Sequence, residues 1–405
     1  MSEQRSWTFK ELAAAGQLEY GDGYRTKKSE IGATGYPILR VAEVLDGRIS
    51  PSFAEFVRPE FRSVMKGKVS RSGDVVLTTK GTVGRVALMP TGAAEFVYSP
   101  QVCYFRTPVN SLLESRFLYY WFRSSEFRKQ AAGMKGQTDM ADYLNLTDVG
   151  ALRIALPART EQRAIAEVLG ALDDKIALNE RMRETALSLA AACYESAGTS
   201  HEPELIGDLA ELFDGPHATP QKTDTGPWFL SISSLKNGYL DLSESAHLSE
   251  EDFPRWTRRV QPQAGDVLFS YETRLGDAAL MPSGIRGSLG RRMALLRSKS
   301  ATVSGALLLH AYLSPAFQEE IKRRTVHGAT VDRLPLKEMP GWRISLPALG
   351  ERERLSAKLD AVHASVTQTA NENRTLAELR DALLPQLLSG KLRVKDAVRT
   401  VEEVV

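Results

Sequence analysis

The chain has 405 residues, of which 42% are hydrophobic and 25% charged, with 52 Lys/Arg against 50 Asp/Glu and a formal net charge of +2. This length allows two to four domains, each large enough to bury its own core, and the near balance of charge excludes a histone-like polycation. Cys103 and Cys193 alone exclude a disulfide framework and suit a reducing cytosol, while apolar runs such as Gly305-Ala306-Leu307-Leu308-Leu309 are too short to span a bilayer.

The opening residues, Met1-Ser2-Glu3-Gln4-Arg5-Ser6-Trp7, lack the apolar core of a signal peptide, so a cytoplasmic protein is expected. Residues 1–157 hold 21 Lys/Arg against 16 Asp/Glu. The rest of the chain is close to neutral or acidic, so any nucleic-acid surface must come from local clusters. Candidates are Arg25-Thr26-Lys27-Lys28, the run from Arg255 to Arg259, Arg291-Arg292 and Lys322-Arg323-Arg324.

In the first half, β-branched and aromatic runs bounded by Gly and Pro predict strands around Tyr36 to Val41, Asp74 to Thr79, Arg85 to Met89 and Val102 to Arg106. An aromatic-rich helix is predicted from Leu112 to Lys129. After Pro157, Thr160-Glu161-Gln162-Arg163 starts a long helix with Ile165, Leu169, Leu172, Ile176, Met182, Ala186 and Leu189 on one stripe. At 1.5 Å per residue it reaches about 50 Å. Polar Asn179 lies near its seam, where a buried polar group would fix helix register.

The second half repeats this order, with strands around Trp228 to Ile232, Asp266 to Ser270, Ala278 to Met281 and Met293 to Arg297, and a helix from Gly305 to Arg324. After Pro347 a second long helix carries Leu355, Leu359, Val362, Val366, Leu376, Leu379 and Leu383, with Thr369 in the place of Asn179. The repetition is literal in places. Ser72-Gly73-Asp74-Val75-Val76-Leu77 returns as Ala264-Gly265-Asp266-Val267-Leu268-Phe269, and Ala87-Leu88-Met89-Pro90 as Ala279-Leu280-Met281-Pro282, both at an offset of 192. Arg153-Ile154-Ala155-Leu156-Pro157 returns as Arg343-Ile344-Ser345-Leu346-Pro347 at an offset of 190. A period of half the chain means two whole domains, not a solenoid. The natural partner of one long helix is the other, and the duplication allows a pseudo-twofold axis.

Catalytic signatures are missing. There is no G-x-x-x-x-G-K-[ST] loop, no G-x-G-x-x-G fingerprint, no Asn-Pro-Pro or Asp-Pro-Pro motif and no spaced carboxylate–lysine cluster. His201, His217, His247, His310, His327 and His363 lack metal-ligand spacing. No catalytic or metal-ligating residue is therefore proposed. Polar, Gly-punctuated loops instead recur at matching places: Gly21 to Lys28 with Asp214 to Pro220, Thr78 to Arg85 with Tyr271 to Gly276, and Met134 to Thr138 with Val326 to Thr330. Their side chains suit phosphates and base edges. The candidates for DNA contact are Arg25, Lys27, Lys28, Lys80, Thr82, Lys135, Gln137 and Thr138 in the first half. In the second half they are His217, Thr219, Arg274, Arg291, Arg292, His327 and Thr330.

The chain resembles the specificity (S) subunit of type I restriction-modification systems over nearly its whole length. The marks are Leu156-Pro157 before Glu161-Gln162-Arg163-Ala164-Ile165, then Leu172-Asp173-Asp174-Lys175-Ile176 and Asn179, then Asp214-Gly215-Pro216-His217-Ala218-Thr219-Pro220, and finally Leu383 to Leu392. Two departures stand out. The second helix opens Glu351-Arg352-Glu353-Arg354-Leu355 in place of Glu-Gln-x-x-Ile, and Asp22-Gly23-Tyr24-Arg25-Thr26 lacks the His and Pro of the second copy.

The resemblance implies a mixed α/β protein with two tandem target recognition domains, residues 1–157 and 201–347, each followed by a conserved spacer helix, residues 158–200 and 348–395, with a tail at 396–405. The helices would pair as an antiparallel coiled coil through Ile165, Leu169, Leu172, Ile176, Asn179, Leu355, Leu359, Val362, Val366 and Leu376, and would dock partner subunits. Each domain would bind one half of a bipartite duplex target, the halves about one helical turn, roughly 34–36 Å, apart. Two methyltransferase (M) subunits using S-adenosylmethionine and two restriction (R) subunits using ATP and Mg would supply catalysis. The chain itself would hold no cofactor, contact no membrane and associate with the nucleoid through DNA. A stand-alone bipartite DNA-recognition protein of another defence system remains the alternative. A nuclease or methyltransferase with unrecognised motifs and a scaffold that binds no DNA are more distant ones.

Overall fold

The computed structural model describes residues 5–92, 94–134, 143–198, 202–328 and 330–403. The chain divides into two units, Met1–Lys175 with Thr375–Val405, and Ile176–Arg374. In the first, β1 (Glu19–Asp22), β2 (Val75–Thr78), β3 (Val86–Leu88) and β4 (Val102–Arg106) form an antiparallel sheet of order β1-β4-β2-β3. In the second, β5 (Ala210–Asp214), β6 (Val267–Ser270), β7 (Ala278–Leu280) and β8 (Met293–Ser298) form a sheet of order β5-β8-β6-β7. The register is shared, since Leu77 opposite Cys103 becomes Phe269 opposite Ala294. β2 and β6 are buried at all four positions, which is why both read as unbroken apolar runs.

A second, shorter ladder is also repeated. Ile38-Leu39 runs parallel to Val97-Tyr98, and Trp228-Phe229 runs parallel to Gly287-Ser288, each residue 190 positions later. The predicted single helices are broken in both copies. α1 (Ser115–Arg123) and α2 (Ser125–Met134) meet at Ser124, while α3 (Gly305–Leu313) and α4 (Pro315–Arg324) meet at Ser314. Each serine is extended, and its hydroxyl accepts from the N–H three residues on, Phe127 or Phe317. It thereby caps a new helix and ends the old one. Phe9, Phe105, Trp121, Phe122 and Phe127 form an aromatic core in the first unit, with ring centroids 4.7–5.8 Å apart. Burying each such ring contributes about 2–3 kcal/mol.

The first long helix spans Arg159–Ser196 and the second Leu349–Leu388. Within the first unit, Arg380 donates to Asp173 at 2.7 Å. Within the second, Asn179 donates to Asn373 at 2.8 Å and to Glu372 at 3.0 Å, and Asn373 returns a bond to the Ile176 carbonyl at 3.3 Å. Further along, Ala190 and Tyr194 share a core cluster with Leu355 and Leu359, so the helices run antiparallel. Ile165, Leu169, Leu172, Asn179, Leu355, Leu359, Val366 and Leu376 are buried, and Ile176 and Val362 are half-buried.

Three expectations change. Met182 and Leu189 are exposed, so the apolar stripe is narrower than their spacing suggests. Thr369 bonds the Ser365 carbonyl of its own helix and is no counterpart of Asn179. Leu355 and Leu359 pack into the core of their own globular domain as well as toward the first helix.

The Glu-Gln-x-x-Ile motif has a structural meaning. Gln162 is fully buried. Its amide donates to the carbonyls of Leu112 and Pro157, both at 2.9 Å, and accepts from the Glu114 N–H at 3.0 Å. This fastens the long helix to the start of α1. Arg352 stands at the same place in the second copy and donates to the Pro347 carbonyl at 2.8 Å, with Glu204 balancing its charge. The sequence departure therefore preserves the contact.

Candidate nucleic-acid interface

The sheet brings the first two predicted loops of each unit, Gly21 to Lys28 and Thr78 to Arg85, and Asp214 to Pro220 and Tyr271 to Gly276, to one end. β1 leaves at Asp22 opposite Cys103, β2 leaves at Thr78 opposite Val102, and β4 enters there. The Tyr24 N–H donates to the Tyr98 carbonyl at 2.6 Å and the Thr79 N–H to Gln101 at 3.0 Å. The Leu144 N–H donates to Thr79 at 2.9 Å, which ties Leu144 to the same end. In the second unit Asp214 lies opposite Ala294 and Ser270 opposite Met293. Here the Gly215 N–H donates to Met293 at 3.0 Å, Tyr271 to Arg292 at 3.1 Å, and Leu334 to Tyr271 at 2.9 Å. A hairpin pairing Val326 with Arg333 joins through the bridge between Glu272 and Arg333. Lys135, Gln137 and Thr138 lie outside the described residues.

Close backbone approach fixes the Asp-Gly turns. A Cβ at Gly23 would overlap the carbonyl oxygens of Tyr98 and Ser99, and one at Gly215 would press on the Met293 carbonyl. A cation staples each turn. Lys68 donates to Asp22 at 2.9 Å and to the Gly23 carbonyl at 2.8 Å. Arg259 reaches Asp214 and the Gly215 carbonyl, both at 3.3 Å. The Arg255–Arg259 run is legible in the sequence, whereas the role of Lys68 is not, because its partner is 46 residues away.

The two loop ends differ in how their cations are held. In the first unit Arg25, Lys27, Lys28 and Lys80 are exposed and make no side-chain ion pair among the described residues, and Thr82 is exposed beside them. In the second unit four of the candidates are tethered. His217 lies 3.1 Å from Asp214, Arg274 lies 2.6 Å from Asp277, Arg292 lies 3.0 Å from Glu272, and His327 lies 3.1 Å from Asp332. Tyr271 Oη sits 3.3 Å from His217 Nδ1 and links two of these loops. Burial, then nearby Asp214 and Glu272, push the Tyr271 phenol up, so it stays protonated as a donor. Arg292 also donates to Thr273 at 3.1 Å. Arg291, Thr219 and Thr330 are exposed on the same loops. The first surface is thus a set of exposed cations without ion pairs, suited to phosphates, and the second holds oriented groups suited to base edges.

At the opposite end of each sheet from these loops lies an ion pair that the sequence did not disclose, buried in the first unit and part-buried in the second. Arg106 meets Asp74 through two bonds of 2.8 Å and donates to the Val69 carbonyl at 3.1 Å. Arg297 meets Asp266 through bonds of 2.8 and 2.7 Å and donates to the Gln261 carbonyl at 3.0 Å. Each aspartate also accepts a backbone N–H three residues back, from Arg71 or Gln263. The fork-to-fork geometry pins β2 to β4 and β6 to β8. Only the Asp of the repeated Gly-Asp string was visible beforehand.

Among the described residues no group of three or more His, Cys, Asp and Glu could hold a metal ion, and no helix is long and apolar enough to cross a membrane. Residues 5–187 match the family model of the type I restriction modification DNA specificity domain. The chain is 21% identical over 395 residues to the type I restriction enzyme MjaX specificity subunit of Methanocaldococcus jannaschii, covering 91% of this chain and 90% of that one. It is 19% identical over 355 residues to the MjaIX specificity subunit of the same organism, covering 81% and 80%. The crystal structure of the type I restriction-modification S subunit from M. genitalium superposes with a TM-score of 0.54 at 14% identity, over 96% of this chain and 97% of that one. That likeness is one of fold.

Proposed function

We propose that this chain is a specificity subunit of a type I restriction-modification system, and that each of its units reads one half of a bipartite duplex DNA target with the loops gathered at one end of its sheet. One observation carries this reading. The two frames agree in strand order, register, stapled Asp-Gly turn and buried Asp–Arg pair, while the side chains on the loops differ. Two readers built on one frame, each with its own contacts, are what a target with two unlike halves requires.

In this proposal the chain is non-catalytic and acts in the cytoplasm on DNA. The paired helices recruit two M subunits, which flip out adenine for N6 methylation from S-adenosylmethionine, and two R subunits, which use ATP and Mg to cleave. Arg25, Lys27, Lys28 and Lys80 would hold phosphates, and His217, Thr219 and Arg292 would face base edges.

Methylome sequencing of a host carrying this chain and its methyltransferase tests the reading. A split motif with N6-methyladenine on both strands and an unspecified gap is expected. Replacing the loop at His217–Thr219 should change one half-motif only. A continuous palindrome, or a change in both halves, would overturn the assignment of one reader to each unit.

A further inference from the structure

A cleft of about 470 Å³ opens in the first unit beside the loop that carries Lys80 and Thr82. Arg85, Arg123, Arg128 and Arg380 line it, against Asp46 and Asp381. Arg123 and Arg380 are committed to Asp173, at 3.1 and 2.7 Å, which fixes their place in the wall. Arg85 and Arg128 make no ion pair among the described residues. Ser125, first residue of the ten-residue helix α2, also lines the cleft, with its N–H at the positive end of that helix.

The internal repeat supplies a control within the same chain. Arg85 corresponds to Asp277, since Thr78 and Ser270 pair with those two residues in the same way. Arg123 corresponds to Leu313, Ser125 to Pro315 and Arg128 to Gln318, because the two helix pairs match residue for residue. Three guanidinium groups and one free N–H donor are thus absent from the second copy. Gln318 fills that place instead, donating to the carbonyls of Gly276 at 3.3 Å and Tyr312 at 2.9 Å. Arg123 serves the Asp173 cluster, but core packing cannot explain Arg85 and Arg128, because the same frame closes without them.

We infer that this cleft is an anion site of the first unit that takes a phosphate group, supplied by the backbone of the bound duplex. The inference rests on the DNA-binding reading above and deepens it. Arg85 and Arg128, which line the cleft without an ion pair of their own, hold the phosphate, and the loop at Gly84 brings the duplex to it. The second unit has no such anchor, so the first contributes more of the sequence-independent affinity.

The test measures binding of the full chain to a duplex carrying its target and to an unrelated duplex, from 50 to 200 mM salt. Arg85→Ala with Arg128→Gln should weaken both duplexes roughly five- to tenfold at low salt and flatten the slope of log K against log salt by about 0.9. The methylated motif should stay the same. Arg128→Lys, which keeps the charge, should recover most of the slope, and an unchanged melting curve shows that the variants fold. A methylphosphonate scan should find one neutralised phosphate that weakens the wild type but not the double variant. If the double variant lowers calorimetric binding of inorganic phosphate yet leaves the DNA slope intact, the duplex is not the source and the inference fails. It also fails if the substitutions weaken only assembly with the methyltransferase. If the wild-type chain binds no duplex, the functional reading falls, and this inference with it.

Discussion

His310 and His363 meet Nε2 to Nε2 at 3.0 Å, both buried, and join α3 to the second long helix within the second unit. One Nε2–H donates and the other Nε2 accepts, so the accepting ring must be neutral, and burial disfavours charge on either. The same place in the first unit, 190 residues earlier, is held by Tyr120 donating to Asp173 at 2.8 Å. A neutral pair and a charged cluster thus perform one joining role in the two copies.

The histidine pair makes the second unit acid-sensitive. Burial holds His363 down to about 4, and burial followed by the neighbouring His363 does the same for His310. The folded state therefore resists protonation while the unfolded chain binds protons from about pH 6.5 downward. Stability contributed by the pair is complete above pH 6.5 and is lost between 6.5 and 4, by as much as about 3 kcal/mol per histidine. Thermal melts from pH 8 to 4 should show this loss, and His310→Gln with His363→Gln should flatten it. A wild-type profile that stays level down to pH 5 would refute the assignment.

The Asp74–Arg106 pair should matter more than Asp266–Arg297. Side-chain exposure is 1% and 9% in the first pair but 3% and 28% in the second. Removing one partner of a buried pair strands the other charge, at about 3–5 kcal/mol. Water reaching Arg297 softens that cost. Asp74→Asn should therefore lower chemical stability by about 3 kcal/mol or more, and Asp266→Asn by roughly half as much. Denaturant unfolding of the two variants provides the ranking, and equal losses would mean that exposure of the arginine is irrelevant.

Arg352 offers a test of what the helix-start motif does. Its guanidinium is almost fully buried against the Pro347 carbonyl and Glu204. Arg352→Gln reproduces Gln162 and keeps a donor for that carbonyl, so its cost should stay within about 1 kcal/mol. Arg352→Ala leaves the carbonyl and Glu204 without their partner and should cost about 2–3 kcal/mol. Calorimetry on both variants decides it. Equal destabilisation would show that charge, and not the carbonyl contact, fixes the helix start.

The frame was largely legible because it repeats. Apolar runs such as Val75-Val76-Leu77 and Val267-Leu268-Phe269 mark the central strands of both sheets. The edge strands β1 and β5 were missed because Glu19-Tyr20-Gly21-Asp22 is short and polar, and pairing with β4 alone makes it a strand. The helix breaks at Ser124 and Ser314 were hidden by periodicity that continues across them. The partners of Asp74, Asp22 and His310 were out of reach for a different reason. They lie 32, 46 and 53 residues away, and nothing local in sequence encodes a long-range pair. Asn179 was legible as a polar seam residue, but its true partners depend on helix register, which Thr369 did not reveal.

The stapled turns allow the two readers to be broken one at a time. Gly23→Ala drives a methyl group into two main-chain carbonyls, and Gly215→Ala drives one into Met293 O and Leu289. Neither strand core can yield, so each turn must shift and carry its exposed side chains with it, Arg25 and Lys27 in one unit and His217 and Thr219 in the other. Both variants should remain folded, with losses of about 1–3 kcal/mol typical of overpacking. Methylation of targets mutated in a single half should then separate them. Gly215→Ala should abolish discrimination at one half-motif and leave the other as strict as in the wild type, and Gly23→Ala should do the reverse. If either variant relaxed both halves equally, the loops at the two sheet ends would not be independent readers.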